Sequence, residues 1–387
     1  MRVALLTTDN REDCRDYSAP VPWFGTAPEA LLQGFASLPE VEVHVLSCAR
    51  ARMPSPEKLA PNISFHSLYV PNSGWMRTAY QGCIRAVRRK LKDIRPQIVH
   101  GQGTERDCAI SAVFSGVPSV LTIHGNMRCV ARVMKARMFS FLWLAARLER
   151  FTIPRAQGVI CLTRHTQEAV ADLARRTWMV PNAVDAAFFE INAQPPPGAP
   201  PRILCVGDVY ALKNQNALIR ALDPLAENRK FKVIFLGKAN AQDPYAAEFS
   251  RLVQARPWCV YHGFARRDDL RAHLRQATLL ALPSLEENCP MVVLEAMASG
   301  VPVVAARVGG VPDLIEEGKT GLFCEPRDAD SMRAGIERVL KSPAAAEEMA
   351  REAKLRAKAR FSPGVIAQRH LEIYREVLSG LSSSPEP

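Results

Sequence analysis

The sequence predicts an α/β protein built from two parallel-sheet domains. Short β-branched runs, VEVHVLS, QIVHG, SVLTIH, GVICLT, RILCVG, KVIFLG and LLALP, each precede a helix-like stretch. That alternation builds βαβ units with parallel strands. The chain has 387 residues, room for two or three domains. One proline-rich segment, INAQPPPGAPP at 191–201, can continue neither a helix nor a central strand, and it divides the chain near its middle.

Composition agrees. With 48% hydrophobic and 23% charged residues, the chain is globular and can bury sizeable cores. No apolar run reaches the length of a membrane span. The amino terminus enters a strand-like run directly, without a long apolar segment or small-residue cleavage pattern, so no secretory signal is read and a cytoplasmic location is expected. Ten cysteines are scattered, with no C-x-x-C pair and no His/Cys cluster. They read as single buried thiols in a reducing compartment, and no zinc-type metal site is expected. The closing SSSPEP reads as a disordered tail.

Charge is uneven. Residues 1–190 hold 24 Lys and Arg against 16 Asp and Glu, and two stretches concentrate the excess. In 77–95, six Arg or Lys fall between Arg85 and Arg95 against one Asp. In 127–151, a helical reading puts Arg128, Arg132 and Lys135 on one stripe and Val133, Met134, Met138, Phe141, Leu142 and Ala145 on another. A basic amphipathic helix suits an anionic membrane surface, and a solvated helix packed on its own domain is the equal alternative. No RNP motif or zinc finger supports a nucleic-acid partner.

The densest signal is PSLEENCPMVVLEAMASGVPVVAARVGGVPDLIEEGKTG at 283–321. A buried strand, LLALP, leads into a loop holding Glu287, and a helix follows from about Pro290, placed here at the first helical position. The amides of Met291 and Val292 would point back toward the strand end and form an anion site. Glu287 precedes that site, and Glu295 lies about a turn further in. A diphosphate between two hydroxyl-bearing sugars fits this order, which points to a nucleotide sugar. Two solvated acids on an amphipathic helix are the bland alternative. Gly309 and Gly310 then form a tight loop that permits close approach of a ligand.

This segment resembles the signature of retaining glycosyltransferases of family 4: PS-x-x-E-x7-E-A-M-A-x-G-x-P-V, then GG-x-P-E and G-x-x-G-L. The resemblance extends over most of the chain. LLTTDN resembles the first strand, FGTAPEALLQGFASL the first loop and helix, and PQIVHGQG and PSVLTIHGN two later strands, the second ending in His124 and Gly125. VPNAVDAAFF is similar to the P-N-G-V-D element, and ILCVGDVYALKNQNALIRAL to the opening of the second domain. The resemblance implies the GT-B fold: two Rossmann-like parallel-sheet domains facing across a cleft, with the C-terminal helix packing back on the first. The expected domains are thus 1–190, which binds the acceptor and is completed by a returning helix at 363–380, and 202–362, which binds the donor, with 191–201 as linker.

Roles follow from the resemblance. Glu295 would accept hydrogen bonds from the ribose, and Glu287 would hold hydroxyls of the transferred sugar. His124 would polarise or position that sugar; His100 and His165 receive no role. Lys213 and the amides of Met291 and Val292 would stabilise the departing diphosphate, worth about 3 kcal/mol per well-placed donor. Gly25, Gly207, Asn288, Cys289 and Pro290 complete the expected donor site. Two positions depart from the pattern. The first loop carries Gly25 followed by Thr26 where two glycines are usual, and Gly207 is followed by Asp208 where the family usually has Arg. An Asp beside phosphates is repulsive, so it must turn away or leave the clamp to Lys213 and the helix amides.

The implied activity is transfer of a sugar, with retention, from a nucleoside-diphosphate sugar to a glycan or lipid-linked acceptor in cell-surface polysaccharide or glycolipid synthesis. The implied place is the cytoplasm or the cytoplasmic face of a membrane. The nucleotide sugar would be a co-substrate, with neither bound cofactor nor metal. An epimerase-like enzyme and an inactive membrane-associated scaffold of the same fold stand as alternatives. An ordinary NAD enzyme would need G-x-G-x-x-G after a first strand, and neither LLTTDN nor ILCVGDVYALK supplies it.

Overall fold

The computed structural model describes residues 1–382. Of the expected tail, Ser382 ends the last helix and 383–387 lie outside the described residues. The chain forms two compact units. Met1–Ala183 and the closing helix Pro363–Ser382 make the first, and Val184–Phe361 the second.

In the first unit, eight strands form one sheet: β1 (Arg2–Leu6), β2 (Glu42–Ala49), β3 (Lys58–Ala60), β4 (Ile63–Tyr69), β5 (Ile98–Gln102), β6 (Ser119–Ile123), β7 (Gly158–Cys161) and β8 (Thr177–Met179). Their order is β3-β4-β2-β1-β5-β6-β7-β8, parallel except for the β3–β4 edge pair. Side chains alternate across a strand. Accordingly Val3 and Leu5 enter one core with Phe35, Leu371 and Tyr374, while Ala4 and Leu6 enter another with Val87, Ile110 and Leu121. Both faces are covered, as parallel sheets require. The closing helix packs on the helix Thr26–Ala36. Gly34 permits this, because a Cβ there would lie 2.1 Å from the carbonyl oxygen of Pro363.

The second unit has six parallel strands: β9 (Arg202–Val206), β10 (Lys232–Leu236), β11 (Cys259–Tyr261), β12 (Leu279–Leu282), β13 (Val303–Ala306) and β14 (Leu322–Cys324). The order is β11-β10-β9-β12-β13-β14. The chain winds one way from β9 to β10 and β11, then returns to the other side of β9 for β12. The carboxyl ends of β9 and β12 therefore flank a topological switch point, where open α/β sheets bind ligands.

Two expectations change. The division falls at 183/184, and the proline-rich segment belongs to the second unit instead of linking the two. Backbone bonds hold it there: the Ala193 amide donates to Ser299 and the Gln194 amide to Arg275. The stretch 127–151 is not one helix. Met127–Val133 and Phe141–Thr152 are helical, and between them Lys135 and Phe139 adopt left-handed backbone, with φ of 47° and 63°. The polar and apolar stripes read along a single helix therefore do not exist. No helix among the described residues is long and apolar enough to cross a membrane.

Candidate donor-sugar site

Two loops meet at the switch point of the second unit. After β9, Gly207 takes φ of 152°, and the chain makes a short helical turn at Ala211–Lys213. Asn214 then adopts left-handed backbone, which its short polar side chain tolerates. Its Nδ2 donates to the carbonyls of Pro283 (3.0 Å) and Pro326 (2.8 Å), and the Leu285 amide donates to Leu212 (2.8 Å). The loop after β9 is thereby latched to the loop after β12.

The latch delivers Lys213 to Glu287. Lys213 Nζ lies 2.6 Å from Glu287 Oε1, which also accepts from Ser284 Oγ at 2.7 Å. Burial works against the lysine's charge, but Glu287 together with Tyr210 more than offsets this, and the pKa of Lys213 is raised. The backbone of Glu287 is fixed from the other side. Its carbonyl accepts the Gly310 amide (3.0 Å), and a Cβ on Gly309 would sit 1.9 Å from that oxygen. The close approach expected of this glycine loop is therefore, at Gly309, an approach to Glu287 itself.

The helix Met291–Ala298 begins one residue later than expected, with Pro290 as its N-cap. The Pro290 carbonyl takes the amides of Val293 and Leu294. Met291 and Val292 supply the first two amides, which have no acceptor within a helix. These two residues are half-buried, while Cys289, Pro290 and everything from Val293 to Ser299 are buried. Asn288 is half-buried in the connecting loop.

Glu295 lies inside the same helix, 4% exposed. Burial pushes its carboxyl up to about 7; Arg267 pulls it down and Asp185 pushes it further up. Asp185 caps the helix Ala186–Phe189 through the Ala187 amide, and its other oxygen meets Arg267 Nη1 at 3.0 Å. Asp208 Oδ1 accepts the Lys238 amide at 2.8 Å.

The structure thus gathers Gly207, Lys213, Glu287, Asn288, Cys289, Pro290, Met291 and Val292 at the neighbouring carboxyl ends of β9 and β12, with Glu295 further along the helix that follows. Sequence reasoning missed Ser284, Asn214, Asp185 and Arg267. Ser284, Asn214 and Asp185 stand inside the quoted motifs, whereas Arg267 carries no local signal.

Gly25 and His124 belong to the first unit. Gly25 caps the helix Thr26–Ala36 with φ of −61°, a conformation open to any residue. His124, half-buried at the end of β6, places Nε2 2.7 Å from Gln102 Oε1. Burial, with His370 nearby, lowers its pKa to about 4, so the ring is neutral at pH 7. Gln102 reaches His100 at 3.1 Å, and His100 Nδ1 lies 2.6 Å from the Tyr374 hydroxyl.

One reading from composition is revised. The cysteines are not all isolated: Cys48, Cys83 and Asp107 are buried with their ligand atoms within 4.8 Å of one another. Residues from β2 and two separate helices meet there, so no sequence spacing announces the group.

Comparison with known proteins agrees with this fold. A family model described as Glycosyl transferases group 1 matches 188–356, and one described as Glycosyltransferase Family 4 matches 29–188. Glycogen synthase of Mycobacterium tuberculosis is 26% identical over 306 residues, covering 76% of this chain and 72% of its own. Sucrose-phosphate synthase from Thermosynechococcus elongatus shares the fold with a TM-score of 0.79 at 19% identity, covering 98% of this chain and 100% of its own. HepE of Anabaena, solved in complex with UDP-glucose, does so with a TM-score of 0.70 at 18% identity, covering 99% and 100%. The fold and the paired loops define a glycosyltransferase of GT-B type that uses a nucleotide sugar. The chain belongs to the group 1, family 4 glycosyltransferases.

Proposed function

We propose that this enzyme transfers a sugar, with retention of anomeric configuration, from a nucleoside-diphosphate sugar to a lipid-linked or glycan acceptor in cell-surface polysaccharide or glycolipid synthesis. The carrying observation is the Lys213–Glu287 pair beside a helix N-terminus at the switch point. Lys213 and the amides of Met291 and Val292 take the diphosphate and stabilise it as it leaves. Lys213 has three N–H groups, so it can hold Glu287 and a phosphate oxygen together. Glu287 accepts from hydroxyls of the transferred sugar, and Glu295 from the ribose. Gly207 and the 288–290 loop give the donor backbone room. The UDP-glucose held by the Anabaena protein supports a donor of this kind. We place the enzyme at the cytoplasmic face of a membrane, where its basic first unit meets an anionic surface.

Calorimetric titration with UDP, GDP, ADP and NAD tests the donor assignment. One nucleoside diphosphate should bind, and Glu295→Ala should lose it while keeping its fold. Binding of NAD alone would overturn the reading.

A further inference from the structure

A cavity of about 860 Å³ opens in the first unit, lined by Arg50, Trp75, Arg77, Tyr80, Arg106 and Phe141 among others. Arg50 follows β2, residues 72–80 follow β4, and Arg106 follows β5. The cavity therefore lies at the carboxyl edge of the parallel sheet, the edge where such sheets bind ligands. Its floor is rigid. Trp75 is buried, its indole N–H donates to the Val70 carbonyl at 3.1 Å, and the Arg50 guanidinium stacks 3.9 Å from the ring centroid.

The charge balance of the cavity favours an anion. Arg50 is paired with Glu12 and Arg106 with Asp13. Arg77 is exposed and makes no ion pair among the described residues. The lining holds three guanidinium groups and no carboxylate, and Arg77, the one of the three without an ion pair among the described residues, stands on the turn Met76–Thr78.

The cavity wall continues into an unusual surface. Phe141 lines the cavity and is 49% exposed. Before it, where left-handed backbone at Lys135 and Phe139 breaks the helix, Val133, Met134, Met138 and Phe139 are also exposed. Met138 and Phe139 are the most open, at 68% and 71%. Arg132, Lys135 and Arg137 are interleaved and also exposed, and no carboxylate occurs in 132–141. Exposed aromatic and aliphatic side chains among cations suit the boundary between anionic headgroups and acyl chains. The same group, Phe141, belongs to both the cation-rich cavity and this apolar ledge.

We infer that the cavity takes the phosphate-bearing head of a lipid acceptor, and that 132–141 rests in the lipid surface presenting it. The inference rests on the glycosyltransferase reading above and deepens it, by assigning the acceptor to anionic amphiphiles. Arg77 meets the phosphate, Trp75 and Tyr80 form the base on which the head lies, and Phe141 and Met138 accompany the chain out of the cavity.

The test uses the full chain and dodecyl phosphate as probe, with dodecyl maltoside and inorganic phosphate as comparators. Sedimentation with phosphatidylcholine vesicles, with and without phosphatidylglycerol, runs in parallel. Dodecyl phosphate should bind at least tenfold more tightly than either comparator, and the protein should sediment only with the anionic vesicles. Arg77→Glu should weaken dodecyl phosphate binding about tenfold or more, given about 1 kcal/mol per basic side chain at an anionic surface and a reversal of sign. Phe141→Ser should weaken both dodecyl phosphate binding and sedimentation. Lys58→Glu, on the edge strand beside the start of β4, should change neither. Equal binding of dodecyl maltoside, equal binding of inorganic phosphate, or indifference to both Arg77→Glu and Phe141→Ser would overturn the inference. UDP titration of each variant separates the two readings. A protein that binds UDP but no amphiphile refutes the acceptor assignment alone, and one that binds the amphiphile but no nucleotide refutes the donor assignment.

Discussion

Lys213 Nζ and Glu287 Oε1 lie 2.6 Å apart, across 74 residues of sequence and two separate strand ends. The contact is partly shielded, with side-chain exposures of 23% and 9%, so it fixes both groups beside the helix amides before any donor arrives. A donor placed where charge develops on a leaving group carries about 10²–10³ in turnover. Lys213→Met should therefore lower kcat by about that factor with little change in fold. Steady-state kinetics with the nucleotide sugar that binds will decide. Unchanged turnover would remove Lys213 from the leaving-group site.

Glu295 gives a pH dependence with a definite sign. Its carboxyl is raised from an ordinary value of 4.5 to about 7 by burial. A raised acid contributes stability that is fully present below the unfolded value and is lost as pH rises through the folded one. Glu295→Gln should therefore be more stable than the wild type at pH 8, by up to about 3 kcal/mol, with the advantage fading toward pH 4.5. In the proposed role, the ionised carboxylate is the double acceptor for the ribose hydroxyls. Affinity for a nucleotide sugar should rise as pH climbs through about 7, and Glu295→Gln should flatten that rise. A nucleotide sugar is the right probe, because a terminal phosphate titrates near pH 6, whereas a diphosphate diester does not. The same pH profile in both proteins would contradict this role.

Much of this architecture is legible in the sequence because it is local. Alternating strand and helix signals mark the two sheets, and the 283–321 segment keeps strand, loop, N-cap and both glutamates within one run. What is hidden depends on distant residues. Ser284 can be read beside Glu287, but the latch from Asn214 to Pro283 and Pro326 cannot. Nor can the meeting of Cys48 with Cys83 and Asp107. The break within 127–151 falls at Lys135 and Phe139, which are neither glycine nor proline, so no residue type announces it. The proline-rich segment shows that composition marks an irregular chain path without saying which unit holds it.

Gly309 should tolerate no side chain. Its φ is 50°, and a Cβ would fall 1.9 Å from the Glu287 carbonyl oxygen, a rigid backbone atom. Gly309→Ala must shift the Glu287 loop and adopt left-handed backbone, at a cost of about 1–3 kcal/mol. The expected result is a lower melting transition together with a lower kcat/KM. Gly364→Ala is the control, because a Cβ there meets nothing within 4 Å. Full activity in Gly309→Ala would show that the loop has no part in holding Glu287.

The Tyr374 hydroxyl carries a load that its ring does not. It lies 2.6 Å from Nδ1 of His100, whose Nε2 meets Thr122 Oγ1 at 2.7 Å. His100 is fully buried, and burial, with His370 and His124 nearby, lowers its pKa. A neutral imidazole has one donor and one acceptor nitrogen. Tyr374→Phe keeps the ring packed against Phe35 and His370 and removes one oxygen. Its cost should therefore be that of a buried group losing its partner, about 1–3 kcal/mol. Because the chain has two compact units, the effect belongs to the first. Hydrogen exchange in β5, β6 and the closing helix should accelerate about fivefold to a hundredfold, while β9 and β12 stay as protected as before. Equal acceleration in both sets of strands, or none in either, would mean that this bond does not hold the closing helix to its sheet.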